Sequence, residues 1–359
     1  MTSPSPSYAP LAPSVFARTA FLGDSITDGN TYPLLVRAAL AQAGLPAMIA
    51  INAGIGGDTA AGMAGRLERD VLAHRPTLVT FNAGTNDAHF SVSATSYEER
   101  LRDIAVRLSA DGVPLILLAP NVVGPQHQDK YAPFLIGYEA AQRRVAEEFN
   151  LRMAEVNKEQ HALWDAGAYP LADDGTHPNY AGQRCIARAV LDALGYPALP
   201  VPERLANTPF SGIISEWYLR PVAPEEPELT ASMVEALTPD ASWVRICPLL
   251  QEPIAEEWLD DNRALGMVVQ LQRYLSGADR FLGVATVTAP EEQTRQLHTG
   301  AELSTCWLNG TLVYTNHWTR GWHAGRESVD ISLQPGANRL VIVTGGNFFV
   351  SLTDGPMWP

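Results

Sequence analysis

The chain has 359 residues, 46% hydrophobic and 18% charged, with 28 glycines and 27 prolines; this admits two domains with cores of their own and excludes a disordered or collagen-like chain. The net charge of −14, split as −5 over residues 1–200 and −9 over 201–359, excludes the clustered Lys and Arg that phosphate backbones and anionic membrane surfaces require. Nucleic acid and membrane are therefore not expected as partners, and a neutral small molecule is.

From residue 15 to about 197 short apolar runs alternate with longer helical patterns. "VFARTAFL", "TLVTFNAG", "VPLILLAP" and "LRMAEV" read as buried strands, and "TYPLLVRAALAQAG", "TAAGMAGRLERDVLAH", "SYEERLRDIAVRLSADG" and "GYEAAQRRVAEEFN" repeat apolar residues at helical spacing. Leu115–Leu118, apolar at every position, calls for cover on both faces, as in a parallel sheet between helical layers. The expected fold here is a three-layer α/β domain over 15–197.

Prolines cluster in "LGYPALPVPERLANTPF", which marks a linker at 198–210. The remainder, 211–359, turns strand-like in "FLGVATVTA", "CWLNGTLVYTN" and "SVDISLQPGANRLVIVTGGNFFVSL", with Asn309-Gly310 and Pro335-Gly336 as turns. A β-sandwich is expected, with residues 254–275 left partly helical. Seven of the eight tryptophans follow residue 200; core packing is the favoured reading for each, ahead of stacking on sugar rings.

Cys185, Cys247 and Cys306 are far apart and odd in number, so neither a disulfide framework nor a zinc site is expected. The opening "MTSPSPSYAPLAPSVFARTA" lacks a basic start followed by an apolar core; the expected location is cytoplasmic, or outside the cell if a leader has been removed. No stretch approaches the ~20 apolar residues of a membrane span.

The chemistry concentrates in four short segments. "GDS" puts Ser25 just after the first strand, ahead of a helix near Tyr32, at the sheet edge where open α/β folds bind ligands. Alone, those residue types equally make a turn or a helix cap. A serine nucleophile needs a base within hydrogen-bond reach, and the base an orienting acceptor. Of the eight histidines, His177 stands out because "DDGTHPN" places Asp174 three residues earlier, before a helix over 181–194; Asp173 is a formal competitor as orienter. "NAGIGGDT" (52–59), a glycine-rich turn, and "NAGTND" (82–87), with the Asn86 amide, offer donors for a developing oxyanion. Asp24, Asp28, Asp58 and Asp87 read as loop organisers, and His89 and His127 as plain loop residues ahead of substrate contacts.

Taken together, "GDSITDG", "NAGIGGDT", "GTND" and "DGTH" in this order resemble the blocks of the SGNH hydrolases, the GDSL-type esterase and lipase superfamily, over residues 15–195. The resemblance implies a flavodoxin-like α/β/α fold with about five parallel strands. It implies Ser25 as nucleophile, His177 as base and Asp174 as its orienter, an oxyanion hole built from the Ser25 and Gly57 amides and the Asn86 side chain, and no cofactor or metal. Residues 300–352 more weakly resemble the galactose-binding-like jelly rolls appended to glycoside hydrolases. The expected function is a serine esterase for short, acetyl-type esters of carbohydrates. The alternatives are a general short-chain carboxylesterase or lysophospholipase-like enzyme with a structural C-terminal domain. The expected partner is a small-molecule ester such as an acetylated saccharide; a homo-oligomer stays open.

Overall fold

The computed structural model describes residues 8–205, 212–214, 216–246, 269–271, 274–316 and 327–355. They divide into two compact units between Leu205 and Ala206.

In the first unit the chain runs β1 (Arg18–Gly23), α1 (Ser25–Asp28), α2 (Thr31–Gln42), β2 (Ile49–Gly54), α3 (Ala60–Asp70), β3 (Leu78–Asn82), α4 (Thr85–His89), α5 (Ala94–Ala110), β4 (Leu115–Leu118), α6 (Gln128–Phe149), β5 (Arg152–Ala154), α7 (Val156–Asp165) and α8 (Tyr180–Leu194). The five strands are parallel in the order β2-β1-β3-β4-β5, the doubly wound flavodoxin-like arrangement. Its ligand crevice lies at the carboxyl ends of the strands where the order reverses, beside β1. The register sharpens that point: Gly23 pairs with Gly54 across to β2 and with Asn82 across to β3. Three of the four sequence blocks thus leave the sheet from one rung.

Helices cover both faces. Phe21 of β1 packs into a core with Leu35, Val36 and Leu40 of α2 and Ile186, Val190 and Leu191 of α8. Met63 and Leu67 of α3 and Leu101, Ile104 and Leu108 of α5 are also buried, each such side chain contributing about 2 kcal/mol by leaving water. Local caps agree with this layout. Thr59, Ser93 and Asn179 accept hydrogen bonds from the amides of Gly62, Ser96 and Gly182, closing the first turns of α3, α5 and α8.

Several local expectations need correction. Residues 52–54 are not part of a glycine turn but the end of β2, whose short "IAINAG" carries little strand signal of its own. Ser25 begins a helical turn directly, rather than a loop before α2. In "GTND", Thr85 to Asp87 already belong to α4. Helix α6 starts nine residues before "GYEAAQ" and tolerates Pro133 inside it; a proline in the second turn removes one amide-to-carbonyl bond without ending the helix.

In the second unit the strands β6 (Trp217–Pro221), β7 (Val244–Ile246), β8 (Val269–Gln270), β9 (Phe281–Ala289), β10 (Gln293–Leu308), β11 (Thr311–Thr315), β12 (Glu327–Leu333) and β13 (Gly336–Thr353) accompany the short helix α9 (Ala231–Ala236), and the strand pairs are antiparallel. The long β10 and β13 pair along most of their lengths, with register shifts near Ala301, Leu303 and Thr305. On one side of those shifts β10 pairs with β12, and on the other with β11. Bulges of this kind bend strands. Leu297, Ile331, Phe348 and Val350 from one end share a core with Leu219, Phe281, Leu308 and Ile342 from the other, so the sheet folds over that shared core as a β-sandwich, with a second cluster of Val222, Val234, Leu282, Val284 and Val341.

Trp217 is fully buried in that core, and Trp243 and Trp307 pack against Leu282, Val284 and Val341. Trp318, Trp322, His317, His323, Cys247 and most of 254–275 lie outside the described residues; within the last of these, Val269–Gln270 is strand. Among the described residues, no helix is long and apolar enough to cross a membrane.

Candidate active site

The turn after β1 is shaped by close approach. A Cβ on Gly23 would lie 2.0 Å from Thr27 Oγ1, and one on Gly54 would lie 2.2 Å from the Asp28 amide nitrogen, so only glycine lets α1 press onto the ends of β1 and β2. Asp24 caps α1, its Oδ1 accepting from the Ile26 amide at 3.0 Å. Ser25 follows as the first helical residue.

The fourth block reaches Ser25 from 152 residues away. After α7 the chain makes a short hairpin-like turn in which Ala172 N donates to the His177 carbonyl (2.8 Å) and Gly175 N to that of Ala172 (2.9 Å). Gly124 N, beyond β4, donates to the Gly175 carbonyl at 2.8 Å and anchors the turn to the sheet edge. His177 Nε2 then lies 2.7 Å from Ser25 Oγ, and His177 Nδ1 lies 2.6 Å from Asp174 Oδ2. A carboxylate can only accept, so the neutral ring carries its proton on Nδ1, and Nε2 accepts from the serine hydroxyl.

Asp174 Oδ1 also accepts from the amides of Thr176 (2.8 Å) and His177 (2.9 Å). Partial burial alone would raise this carboxyl, but those two amides and the imidazole outweigh it and hold the group down at about 2. Asp174 is therefore an ionised acceptor throughout the neutral range. Among the described residues Asp173, the formal competitor, accepts one hydrogen bond, at its backbone carbonyl from Gln126 Nε2 at 3.4 Å.

Asn86 stands in the first turn of α4. Its Nδ2 donates to the Asp58 carbonyl at 3.0 Å and, at the long limit of 3.4 Å, to Asp24 Oδ2. Gly57 sits one residue before Asp58 in the left-handed region, with φ +77°, and is exposed. Asp24, Ser25, Ile26, Thr85, Asn86, His89, Tyr131, Thr176 and His177 line one cavity of about 110 Å³. Gly57 is not among them. A roomier cavity of about 320 Å³ lies at the opposite, amino-terminal edge of the strands, around Leu115 and Leu151, away from Ser25.

The remaining aspartates hold loops to one another. Asp28 Oδ2 accepts from Gly56 N (3.2 Å), Asp58 Oδ1 from Thr59 N (2.9 Å), and both oxygens of Asp87 from Ala60 N at the start of α3. Burial pushes the Asp24 carboxyl up to about 6 and that of Asp87 up to about 7, in each case against backbone hydrogen bonds that pull the other way.

Sequence reasoning missed two residues. Arg66, 7% exposed, donates from Nε to Asp58 Oδ2 (2.7 Å), from Nη1 to the Ala53 carbonyl (2.8 Å) and Asp70 Oδ2 (3.2 Å), and from Nη2 to the Gly23 carbonyl (2.9 Å). It ties the ends of β1 and β2 to the loop that Asn86 grips. An arginine between the buried Met63 and Leu67 of α3 was the available signal. Tyr131 belongs to the part of α6 that precedes "GYEAAQ". Among the described residues no group of three His, Cys, Asp or Glu is arranged to hold a metal ion.

A doubly wound parallel sheet with a hydrogen-bonded serine, histidine and aspartate at its carboxyl edge is the architecture of an SGNH-type α/β hydrolase. More particularly, residues 21–185 match the GDSL-like Lipase/Acylhydrolase family, so the chain carries a domain of that family and is a carboxylic ester hydrolase. The chain is similar to an acetylxylan esterase of Geobacillus stearothermophilus, with 29% identity over 207 residues, covering 49% of this chain and 93% of the relative. It is likewise similar to esterase TesA of Pseudomonas aeruginosa, 29% identical over 134 residues, covering 35% and 66% respectively. A solved α/β hydrolase from the metagenome of Lake Arreo, Spain, is 27% identical and covers 53% of this chain and 98% of its own, at a TM-score of 0.47.

Proposed function

We propose that this chain is a serine esterase for short, acetyl-type carboxylic esters, acting on acetylated carbohydrates. The observation that carries the reading is the continuous hydrogen-bonded run Ser25 Oγ, His177 Nε2, His177 Nδ1, Asp174 Oδ2. In this reading Ser25 attacks the ester carbonyl while His177 takes its proton, and Asp174 keeps the ring in the required tautomer. The oxyanion rests on the amides of Ser25 and Gly57 and on Asn86 Nδ2. The long contact from Asn86 to Asp24 is the bond it gives up for that purpose. His177 then protonates the leaving alcohol, and a water activated by the same ring releases the acid.

Size and access support a short acyl group on a bulky alcohol. A cavity of about 110 Å³ is well below the roughly 300 Å³ at which pockets begin to enclose drug-sized ligands. His177 and Asp174 are about half exposed, so an ester on a large scaffold can reach the serine while most of the scaffold stays in solvent. The similarity to an acetylxylan esterase supports the same substrate class. A second reading, a general short-chain carboxylesterase, draws on Phe90, 63% exposed beside His89, as a contact for aliphatic groups.

The test is hydrolysis of p-nitrophenyl acetate, longer p-nitrophenyl esters and acetylated xylo-oligosaccharides by wild type and Ser25→Ala. Turnover should fall at least ~10³-fold in the variant, and acetylated saccharides should exceed aliphatic acetates in kcat/KM for the wild type. Undiminished activity without the Ser25 hydroxyl would rule the mechanism out, and a preference set by acyl length alone would favour the second reading.

A further inference from the structure

We propose that His89 determines specificity for the alcohol side of the ester, its Nε2 hydrogen-bonding an oxygen of a hydroxyl-rich, uncharged leaving group. The inference rests on the reading of Ser25 as an esterase nucleophile and extends it to a residue outside the four sequence blocks.

His89 is the last residue of α4, exposed, and lines the cavity together with Ser25, Asn86 and His177. Its Nδ1 lies 2.8 Å from the hydroxyl of Tyr131, a residue only 5% exposed. The Tyr131 ring in turn stacks on His127, at 5.0 Å between centroids and 4° between planes. His127 Nε2 donates to the Asp174 carbonyl at 2.9 Å. The three rings therefore form a continuous wall from the Asn86 helix to the turn that carries His177.

That continuity assigns the wall to the alcohol side. The leaving oxygen must take its proton from His177, so the alcohol lies toward the His177 turn, and the wall is built onto that turn. A histidine with a purely structural role is commonly buried with both nitrogens engaged. Here a nearly buried tyrosine hydroxyl engages Nδ1, and Nε2 has no hydrogen-bond partner among the described residues. Tyr131 holds the ring in place through Nδ1, and whichever of the two donates, Nε2 is left as the free donor or acceptor that a hydroxyl can meet. The ligand it suits is an uncharged oxygen such as a sugar hydroxyl, in keeping with a site rich in carboxylates.

The experiment measures kcat/KM for an acetylated xylo-oligosaccharide and for p-nitrophenyl acetate, whose leaving group offers no hydroxyl-rich surface. It uses full-length wild type, His89→Ala, His89→Gln and Tyr131→Phe. The ratio of the two values should fall about tenfold in His89→Ala, the loss of one hydrogen bond, mostly through KM for the saccharide. It should recover in His89→Gln, whose amide nitrogen reaches a similar position, and fall partway in Tyr131→Phe. A ratio unchanged in His89→Ala overturns the inference, whatever happens to the absolute rates. Wild type that cleaves neither ester overturns the underlying esterase reading instead, and turnover of p-nitrophenyl acetate by each variant reports that it is folded.

Discussion

Replacing Asp87 by asparagine should stabilise the first unit above neutral pH and do less in acid. Asp87 is 1% exposed, and burial raises its carboxyl from the ordinary 3.8 to about 7 despite the two hydrogen bonds from Ala60 N. Across the window from about 4 to about 7 the folded chain holds a proton that the unfolded chain has released. Stability from this group is therefore greatest in acid and falls as pH rises through the window, levelling off above it. Asp24, raised by burial to about 6, contributes with the same sign over a narrower range. For Asp87 the shift is worth roughly 4 kcal/mol when fully developed, and roughly 2–3 kcal/mol of it develops between about pH 5 and about pH 8. Asparagine keeps an oxygen for Ala60 N and does not titrate. For a unit of about 200 residues, at about 2–4 °C per kcal/mol, the Tm of the wild type should drop by roughly 5–10 °C more than that of Asp87→Asn over the same pH interval. Scanning calorimetry of both full-length proteins at the two pH values measures the difference directly. Parallel shifts in the two proteins would mean that burial does not govern this carboxyl.

Three further substitutions test other parts of the structure. Asp174→Asn should leave the fold intact but cut kcat by about 10²–10⁴-fold, because the amide no longer selects the His177 tautomer; a loss confined to KM would contradict that role. Arg66→Lys should cost about 3 kcal/mol in urea unfolding and most of the esterase activity. A single ammonium cannot serve Gly23, Ala53, Asp58 and Asp70 together, and near-wild-type stability would show that the fork is dispensable. In the second unit Asn338→Ala should cost about 1–3 kcal/mol. Asn338, fully buried, accepts from Gln334 N and Asn309 Nδ2 and donates to the Gln334 and Gly336 carbonyls. Thermal melts indistinguishable from wild type would dismiss it as a clamp.

Legibility from sequence tracked the range of the interaction. Ser25, Asp174 and His177 were readable because each block is local and its chemistry names the partners it needs. The glycine of "GDS" had to be glycine for a reason lying in Thr27, only four residues away. Arg66 was invisible because, beyond its helical neighbour Asp70, its partners are the carbonyls of Gly23 and Ala53 at two strand ends and Asp58 in the loop before α3, which meet only in the folded unit. Tyr131 was lost because the apolar spacing was read only from Gly137 onward, whereas α6 begins at Gln128. The Asn-Gly turn at 309–310 was predicted from its dipeptide, and Asn309 indeed adopts φ +48°. What the dipeptide did not reveal is that Asn309 and Asn338 bond to each other at 2.9 Å. The turns signalled by Asn309-Gly310 and Pro335-Gly336 are thereby interlocked.

The distance along the chain between Ser25 and His177 has a bearing on biosynthesis. A ribosome-bound or truncated chain that ends before the turn at 171–178 holds Ser25 without its base, and the hydroxyl is then an ordinary alcohol of negligible nucleophilicity. If His177 is the base, as proposed, reactivity arrives only when the last block docks beside the first. On the proposed mechanism, completion of the first unit is thus itself the step that confers esterase activity.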